Sequence, residues 1–170
     1  MIELEEAIQR IQDYGLYEVV PVDYDKPKSA KMVNEMSNLR QALTGLPMNL
    51  WIDDEGWYKE SGHYKRIKFQ LDHDKKLNHN LLSVMDLNGV IRVKLPKKVV
   101  LDNKSLRQLS CWVRNNKYAL ELLADARIWL TDILPHLIRG GELTTEEQKE
   151  QLRRKCDELL EQENNDEERN

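Results

Sequence analysis

The sequence contains few cysteines and no long apolar run, and each absence excludes a class of protein. Two cysteines among 170 residues are too few for a disulfide-rich secreted scaffold. Neither Cys111 nor Cys156 has a second thiol or a histidine at metal-ligand spacing, which excludes a structural zinc motif. No apolar stretch approaches the about 20 residues that a membrane-spanning helix needs. We expect two buried free thiols, with a Cys111–Cys156 disulfide as the alternative, and no contact with a membrane.

Known catalytic and targeting motifs are missing as well. The chain has no glycine-rich phosphate loop, no nucleophile elbow and no zinc-binding helix motif. Its first residues, MIELEEAIQR, are acidic and amphipathic, whereas a signal peptide has a basic start and an apolar core. These absences predict a cytoplasmic, non-enzymatic protein without a cofactor.

The residues that are present suit one globular domain with a heavily charged surface. Hydrophobic residues make up 40% of the chain and charged residues 33%. Residues 47–104 carry 11 Lys and Arg against 8 Asp and Glu, a net charge of +3. The first 46 residues have a net charge of −3, and residues 142–170 have one of −6. A basic middle between two acidic ends predicts that local charge, rather than the total of −4, guides binding.

The first 46 residues show the 3.6-residue period of amphipathic helices. One helix is predicted over residues 3–13 and a second from Ser29, with an extended segment, YEVVPVDY, between them. Gly45 and Pro47 end the second helix. Its apolar positions are Val33, Met36, Leu39 and Leu43. We interpret residues 1–46 as an N-terminal helical arm, either for assembly or for capping the core.

Four strand-like segments follow, at residues 48–52, 64–70, 80–86 and 90–95. Asn88-Gly89 joins the last two and predicts a type I′ hairpin turn. In the last segment, apolar residues alternate with Arg92 and Lys94, so one face is apolar and the other basic. The pattern predicts a four-stranded antiparallel sheet with one wet side.

Helical patterns return after Pro96. Asp102 or Asn103 can cap a helix, a short break follows at NNK, and a wide apolar face from Leu122 to Leu137 predicts a longer helix that includes Trp129. Thr144 and Glu147 form a capping box for a last helix. The fold class is therefore α+β, with a core domain at residues 47–141 and an acidic helix and solvated tail at residues 142–170.

Three segments carry a resemblance to a known family. They are NLWIDDEGWYKESGHYKRIKFQ, the hairpin that ends in VIRVKLPKKVV, and the helical pair SLRQLSCWVRNN and LELLADARIW. Over about residues 48–129, the chain resembles small uncharacterised β-sheet-plus-helix domains encoded by tailed bacteriophages and bacterial mobile elements, some of them virion components. Related short proteins lie beside regulatory or toxin–antitoxin genes. The resemblance implies a scaffold and a genomic setting, and it supplies no catalytic residues.

Two polar loops could in principle carry chemistry. Clustered carboxylates at Asp53, Asp54 and Glu55 suit a cation or acid–base work, but the loop lacks the further ligands of a calcium hand and also fits a solvated turn. His73 lies between Asp72 and Asp74, with His79 six residues later, and their spacing fits a polar hairpin loop better than a metal site. His63 and His136 have no evident acidic or thiol partner. We therefore predict no catalytic or metal-binding residue.

An aromatic and basic set is the most suggestive feature. Rings and cations along one sheet face suit single-stranded nucleic acid, a protein interface or a plain solvated face, and the sequence leaves these three open. The set comprises Trp57, Tyr58, Lys59, Tyr64, Lys65, Arg66, Lys68, Phe69, Arg92, Lys94, Lys97 and Lys98.

The acidic last helix also needs a surface to cover it. Its apolar stripe, Leu152, Cys156 and Leu159, is too short for a self-sufficient coiled coil. We expect it to dock on the basic sheet of its own chain or of a sibling subunit.

These features predict a non-enzymatic structural protein of a tailed-bacteriophage virion, of the ring, collar or head–tail connector type. Its partners would be other virion or assembly proteins and copies of itself. The alternative is a small regulatory or toxin–antitoxin-type module that binds nucleic acid through its basic sheet face.

Overall fold

The computed structural model describes residues 2–3, 19–20, 37–62, 64–70, 82–92, 98–99 and 103–169. In this part of the chain, helices cover one face of a β-sheet, and a hydrophobic core lies between the two layers. This arrangement confirms the predicted α+β class.

The sheet contains the four predicted strands and two more. Its order is β2-β7-β6-β5-β4-β3, and neighbours are antiparallel except for the parallel pair β2 and β7. A separate pair, β1 and β8, is antiparallel. The strands are β1 (Ile2–Glu3), β2 (Val19–Val20), β3 (Ser37–Leu39), β4 (Leu50–Ile52), β5 (Arg66–Gln70), β6 (Leu82–Asp86), β7 (Ile91–Arg92) and β8 (Lys98–Val99).

The second predicted N-terminal helix is wrong at residues 37–40, whereas its last turn, Gln41–Thr44, is helical and ends at Gly45 as predicted. Residues 37–39 form β3, which pairs with β4 so that Leu39 lies opposite Leu50. Backbone pairing with the sheet edge therefore overrides the helical spacing of Leu39 and Leu43. Most of the helix predicted over residues 3–13 lies outside the described residues.

The hairpin at Asn88-Gly89 forms, but its turn is not the predicted type I′. Only Gly89 is left-handed, with φ of 80°, and its N–H donates to the carbonyl of Asp86 at 3.1 Å. The Asp86 carboxylate accepts from the N–H groups of Asn88 and Val90. The Asp86 side chain thus satisfies backbone N–H groups of the turn. The connection is a three-residue hairpin loop that ends in a left-handed glycine, rather than a two-residue type I′ turn.

Helices make up most of the chain after residue 103. They are α1 (Gln41–Thr44), α2 (Trp57–Ser61), α3 (Asn103–Asn115), α4 (Lys117–Ala124), α5 (Leu130–Ile133), a 3-10 helix (Leu134–His136) and α6 (Glu146–Arg169).

The long helix predicted from Leu122 to Leu137 is wrong. The chain leaves the helix after Ala124, turns at residues 125–129 and forms only short helical pieces from 130 to 136. Ala126 is left-handed with φ of 55°, and Pro135 cannot continue an α-helix. The predicted break at NNK is confirmed, because Asn116 separates α3 from α4.

The core lies between the inner face of the sheet and the helices. Trp112 of α3 and Cys156 of α6 are completely buried in it. Both cysteines are free, and burial raises the pKa of Cys156 to about 11. The inner sheet face contributes Leu39, Leu50, Ile52, Ile67, Phe69, Met85 and Ile91.

The opposite face of the sheet is not the wet basic face that the alternation predicted. Trp51, Lys68 and Val84 lie side by side on it in neighbouring strands, and all three are buried. Lys68 is only 2% exposed. Burial, and then the nearby charge of Arg66, lower its pKa to about 8.

The last helix docks on helices rather than across the sheet. Helix α6 contacts α4 and α5, and Tyr118 of α4 donates a hydrogen bond of 2.6 Å to Asp157. Its capping box is Thr145 with Gln148, one residue later than predicted, because the helix begins at Glu146. The helix continues to Arg169, and residues 161–168 are exposed except for Glu163.

Candidate functional site

The candidate site joins helix α2 to the turn at residues 125–129, and the carboxylate loop before α2 builds its first half. Gly56 adopts a left-handed conformation ahead of the helix. The Asp53 carboxylate accepts hydrogen bonds from the N–H groups of Glu55, Trp57 and Tyr58 at 2.8 to 3.1 Å. Asp53 therefore satisfies the donors at the start of a short helix, where negative charge is favourable.

The other two carboxylates of this loop also have protein partners. Asp54 accepts a hydrogen bond from the Ser37 hydroxyl at 2.7 Å, and Glu55 accepts one from the indole N–H of Trp57 at 3.1 Å. The loop is thus a structured turn, and Asp53 is buried rather than solvated. Within the described ranges, no group of three or more His, Cys, Asp or Glu is placed to hold a metal ion.

A non-local ionic cluster joins α2 to the turn. The Tyr58 hydroxyl donates to one oxygen of the Asp125 carboxylate, and the Lys65 ammonium lies 2.6 Å from the other. Lys59 completes the cluster at 3.8 Å from Asp125. Charge-assisted hydrogen bonds of this kind are stronger than neutral ones, so Asp125 fixes the turn on α2.

The cluster shifts the pKa values of its members. The hydrogen bond to Asp125, followed by burial, raises the pKa of Tyr58 to about 12. Burial alone would raise the pKa of Asp125, but the hydrogen bonds and charges of Lys65, Tyr58 and Lys59 together hold it below its usual value. At neutral pH the carboxylate is ionised and the phenol protonated. The cluster is therefore an ionic lock, whereas an acid–base pair would hold a pKa near neutrality.

Cations also lie over the aromatic rings of this surface. The ammonium groups of Lys59 and Lys65 lie 5.7 and 5.8 Å from the centre of the Tyr58 ring. Arg66 lies 5.9 Å from the ring of Tyr64. These cation–π distances show that part of the predicted aromatic and basic set forms one surface.

The structure removes two members of that set and leaves others undescribed. Lys68 is buried on the sheet, as is Phe69, so neither belongs to an exposed face. The backbones of Arg92 and Lys98 lie in strands, but their side chains are outside the described parts. Lys94 and Lys97, with His63, His73 and His79, are outside them too.

The apolar stripe of the last helix lies inside the fold. Leu152 and Cys156 are buried in the core, and Leu159 packs against it. These three residues, predicted to contact a partner, hold α6 on its own chain.

Sequence reasoning missed the turn that completes the surface. Asp125, Arg127 and Trp129 all come from the segment that was predicted to be a regular helix. Arg127 is exposed, and the Trp129 side chain is 69% exposed. The spacing of Trp129 fitted a buried helical face, and only Pro135 signalled that the helix could not continue.

A groove lies at the other end of the 130–136 helical segment. It has a volume of about 510 Å³ and runs between the loop at residues 136–144 and the start of α6. Leu137 and Leu152 supply buried apolar surface, and Leu143 at its rim is 72% exposed. Polar groups line the rest, among them His136, Arg139, Glu142, Gln148 and Gln151.

A second, smaller groove of about 310 Å³ lies beside Lys65. Its lining includes Tyr64, Lys117 and Glu121. Lys117 donates a hydrogen bond of 2.6 Å to the Asn88 side chain. Cations and carboxylates are balanced here, so the groove has no strong charge of one sign.

In the described part of the chain, no helix combines the length and apolar composition of a membrane span. Comparison of the whole chain with known protein families, with curated proteins and with solved structures gives no match.

Proposed function

We propose that this chain is a non-enzymatic assembly protein that works through protein–protein contacts. The observation that carries the proposal is the exposed indole of Trp129, four residues after Asp125 of the Tyr58–Lys65–Asp125 lock. Tryptophan, tyrosine and arginine dominate the energy of protein interfaces. The turn at residues 125–129 exposes two of these residue types, Trp129 and, two residues earlier, Arg127.

The burial and ion pairing of the basic residues favour a protein partner over a nucleic-acid partner. Lys68 is buried, and Lys65 already neutralises Asp125 at 2.6 Å. A phosphate that bound Lys65 would have to compete with this carboxylate, which weakens the gain from releasing counterions.

The biological setting in the proposal comes from the sequence resemblance alone. We propose a ring, collar or head–tail connector component of a tailed-bacteriophage virion. Mass spectrometry of purified particles from the phage that encodes the chain tests this setting. The proposal expects its peptides at a fixed copy number per particle. Absence from particles, together with a stable monomer in solution, would rule it out.

Nucleic-acid binding remains the second candidate, because Lys65, Lys117 and Tyr64 share the smaller groove. The test is retention on immobilised single-stranded DNA as salt rises. Lys59→Glu with Lys117→Glu is the right variant, since Lys59 is exposed and both lie at the surface, whereas a charge reversal at buried Lys68 would disrupt folding. Strong retention that the variant loses would favour this candidate over the first.

A further inference from the structure

Trp129 occupies a position where its side chain serves neither the core nor a helix cap. It is the N-cap residue of α5 and makes no side-chain capping bond. Ser, Thr, Asp and Asn are favoured there, and large apolar residues are not. Its neighbour Ile128 is buried while the indole points to solvent. A residue that breaks two local rules at once is expected at a functional site.

The turn fixes the backbone that leads to this indole. Ala126 holds a left-handed conformation, which costs energy in a residue with a Cβ atom. Asp125, one residue earlier, is locked to Tyr58 and Lys65. A pre-organised backbone loses less conformational entropy on binding, so the turn suits an interface anchor.

The groove at the other end of the 130–136 segment has the size to accept an indole. Its volume of about 510 Å³ lies within the roughly 300–1,000 Å³ of ligand pockets. Leu137 and Leu152 line its base but are only 8% and 3% exposed, so the exposed Leu143 at the rim supplies the apolar surface that a ring would cover. Arg139, which donates to the Ala42 carbonyl at 2.9 Å, can lie over an aromatic face, and the exposed Gln151 can accept from an indole N–H.

Buried amides hold the groove in shape. The Asn116 side chain, which is fully buried, pairs with both the N–H and the carbonyl of Ile138 at 2.8 and 2.9 Å. Asn115 donates to the carbonyl of Glu142 at 2.7 Å. Gly141 packs so closely on Gln108 that a Cβ atom would lie 2.2 Å from it. The groove is therefore pre-formed, like the turn.

The charges beside the two features are complementary. Exposed Arg127 and Asp132 lie two residues before and three residues after Trp129 in the chain, and Glu142 and Arg139 line the groove. Each feature carries one charge of each sign, so a contact between them can pair both charges with their opposites.

We infer that Trp129 of one copy inserts into the Leu137–Leu143–Leu152 groove of a second copy. The inference rests on the proposed function and names the partner and the residues of the contact. Because indole and groove lie at opposite ends of one helical segment, the contact is head-to-tail. A contact between two different patches leaves one free patch of each kind on the pair, so further copies can add. The chain of copies closes into a ring when the rotation between neighbouring copies divides a full turn evenly.

Mixing two variants with different defects tests this geometry. Trp129→Ala keeps the groove and loses the indole, whereas Leu143→Lys keeps the indole and loses a groove wall. Both positions are exposed, so the fold should persist, which circular dichroism checks. Leu43→Lys is the matched control, because Leu43 is 42% exposed and does not line the groove. Native mass spectrometry with one variant labelled with ¹⁵N counts copies of each.

The inference expects the wild type and Leu43→Lys to form oligomers, and each single variant to self-associate at least about 30-fold more weakly. The mixture should form complexes of one copy each and nothing larger, since only one intact contact remains. Oligomers of Trp129→Ala equal to wild type would overturn the inference and leave the proposed function standing. So would a mixture without the mixed pair. A monomeric wild type that is also absent from particles would overturn both.

Discussion

The turn at residues 125–129 and the loop at residues 137–142 flank one helical segment but are held by opposite means. Charges near the surface hold the turn, through the Asp125 lock. Neutral amides in the interior hold the loop, through the Asn116 side chain. Two neighbouring segments are therefore held in place by different interactions, ion pairs in the turn and buried amide hydrogen bonds in the loop.

The difference teaches where the molecule should be sensitive to conditions. Buried hydrogen bonds are not screened by salt. Removing one partner leaves the other polar group buried with neither a protein partner nor water, which destabilises the fold. Partly exposed ion pairs are screened and contribute little. We therefore expect the groove to stay rigid across salt and pH, and the turn to loosen with acid or salt.

The largest effect is expected from Asn116→Ala. The substitution leaves the N–H and carbonyl of Ile138 without their side-chain partner, whereas the carbonyl of Trp112 keeps the backbone N–H of residue 116. We expect a loss of about 4 kcal/mol in the free energy of unfolding, measured by urea denaturation. Asn115→Ala, which removes one bond to Glu142, is the control and should lose less than half as much. Equal losses would contradict the role of Asn116.

The second-largest effect is expected at Lys68, whose buried charge makes stability depend on pH in the interior of the fold as well as at the surface. Because burial lowers the pKa of Lys68 from 10.5 to about 8, the folded state carries a penalty that is full below pH 8 and disappears as pH rises to 10.5. Lys68→Met should remove it and stabilise the protein by about 3 kcal/mol at pH 7. The gain should shrink between pH 8 and 10.5, as urea denaturation across that range would show. A gain independent of pH would mean that packing, not charge, causes it.

The smallest effect is expected at the surface lock. Asp125→Asn should cost about 1 kcal/mol at low salt and less at high salt, because the pairs are partly exposed. In the wild type, this stability is present above the ordinary carboxyl pKa and is lost as pH falls through the lower pKa of folded Asp125. Lys59→Met is the control, since its ammonium is 3.8 Å away and its side chain 62% exposed. Salt-independent destabilisation by Asp125→Asn would contradict an ionic lock.

Local patterns predicted the parts of the fold that local chemistry decides. Gly45 ends α1 in a left-handed conformation, and Asn116 breaks the helix pair, as the sequence indicated. The α+β class and the central antiparallel strands followed from the change of period at residue 48. The strand at 37–39 could not be predicted, because its pairing with β4 depends on residues 11 to 15 positions away.

The candidate site was only half predictable for the same reason. Tyr58, Lys59 and Lys65 stood out as an aromatic and basic set, but their common partner, Asp125, is 60 to 67 residues later in the chain. Alternation placed Lys68 with them, although both faces of its strand are buried. Trp129 was assigned to the core because its spacing fitted a helix that Ala126 and Pro135 interrupt.

Sedimentation velocity of the wild type beside Trp129→Ala tests the central claim most directly, since it asks whether the exposed indole makes protein contacts. We predict that the wild-type sedimentation coefficient rises with concentration, while the variant stays a folded monomer at the same concentrations. Identical profiles for the two proteins would contradict the account.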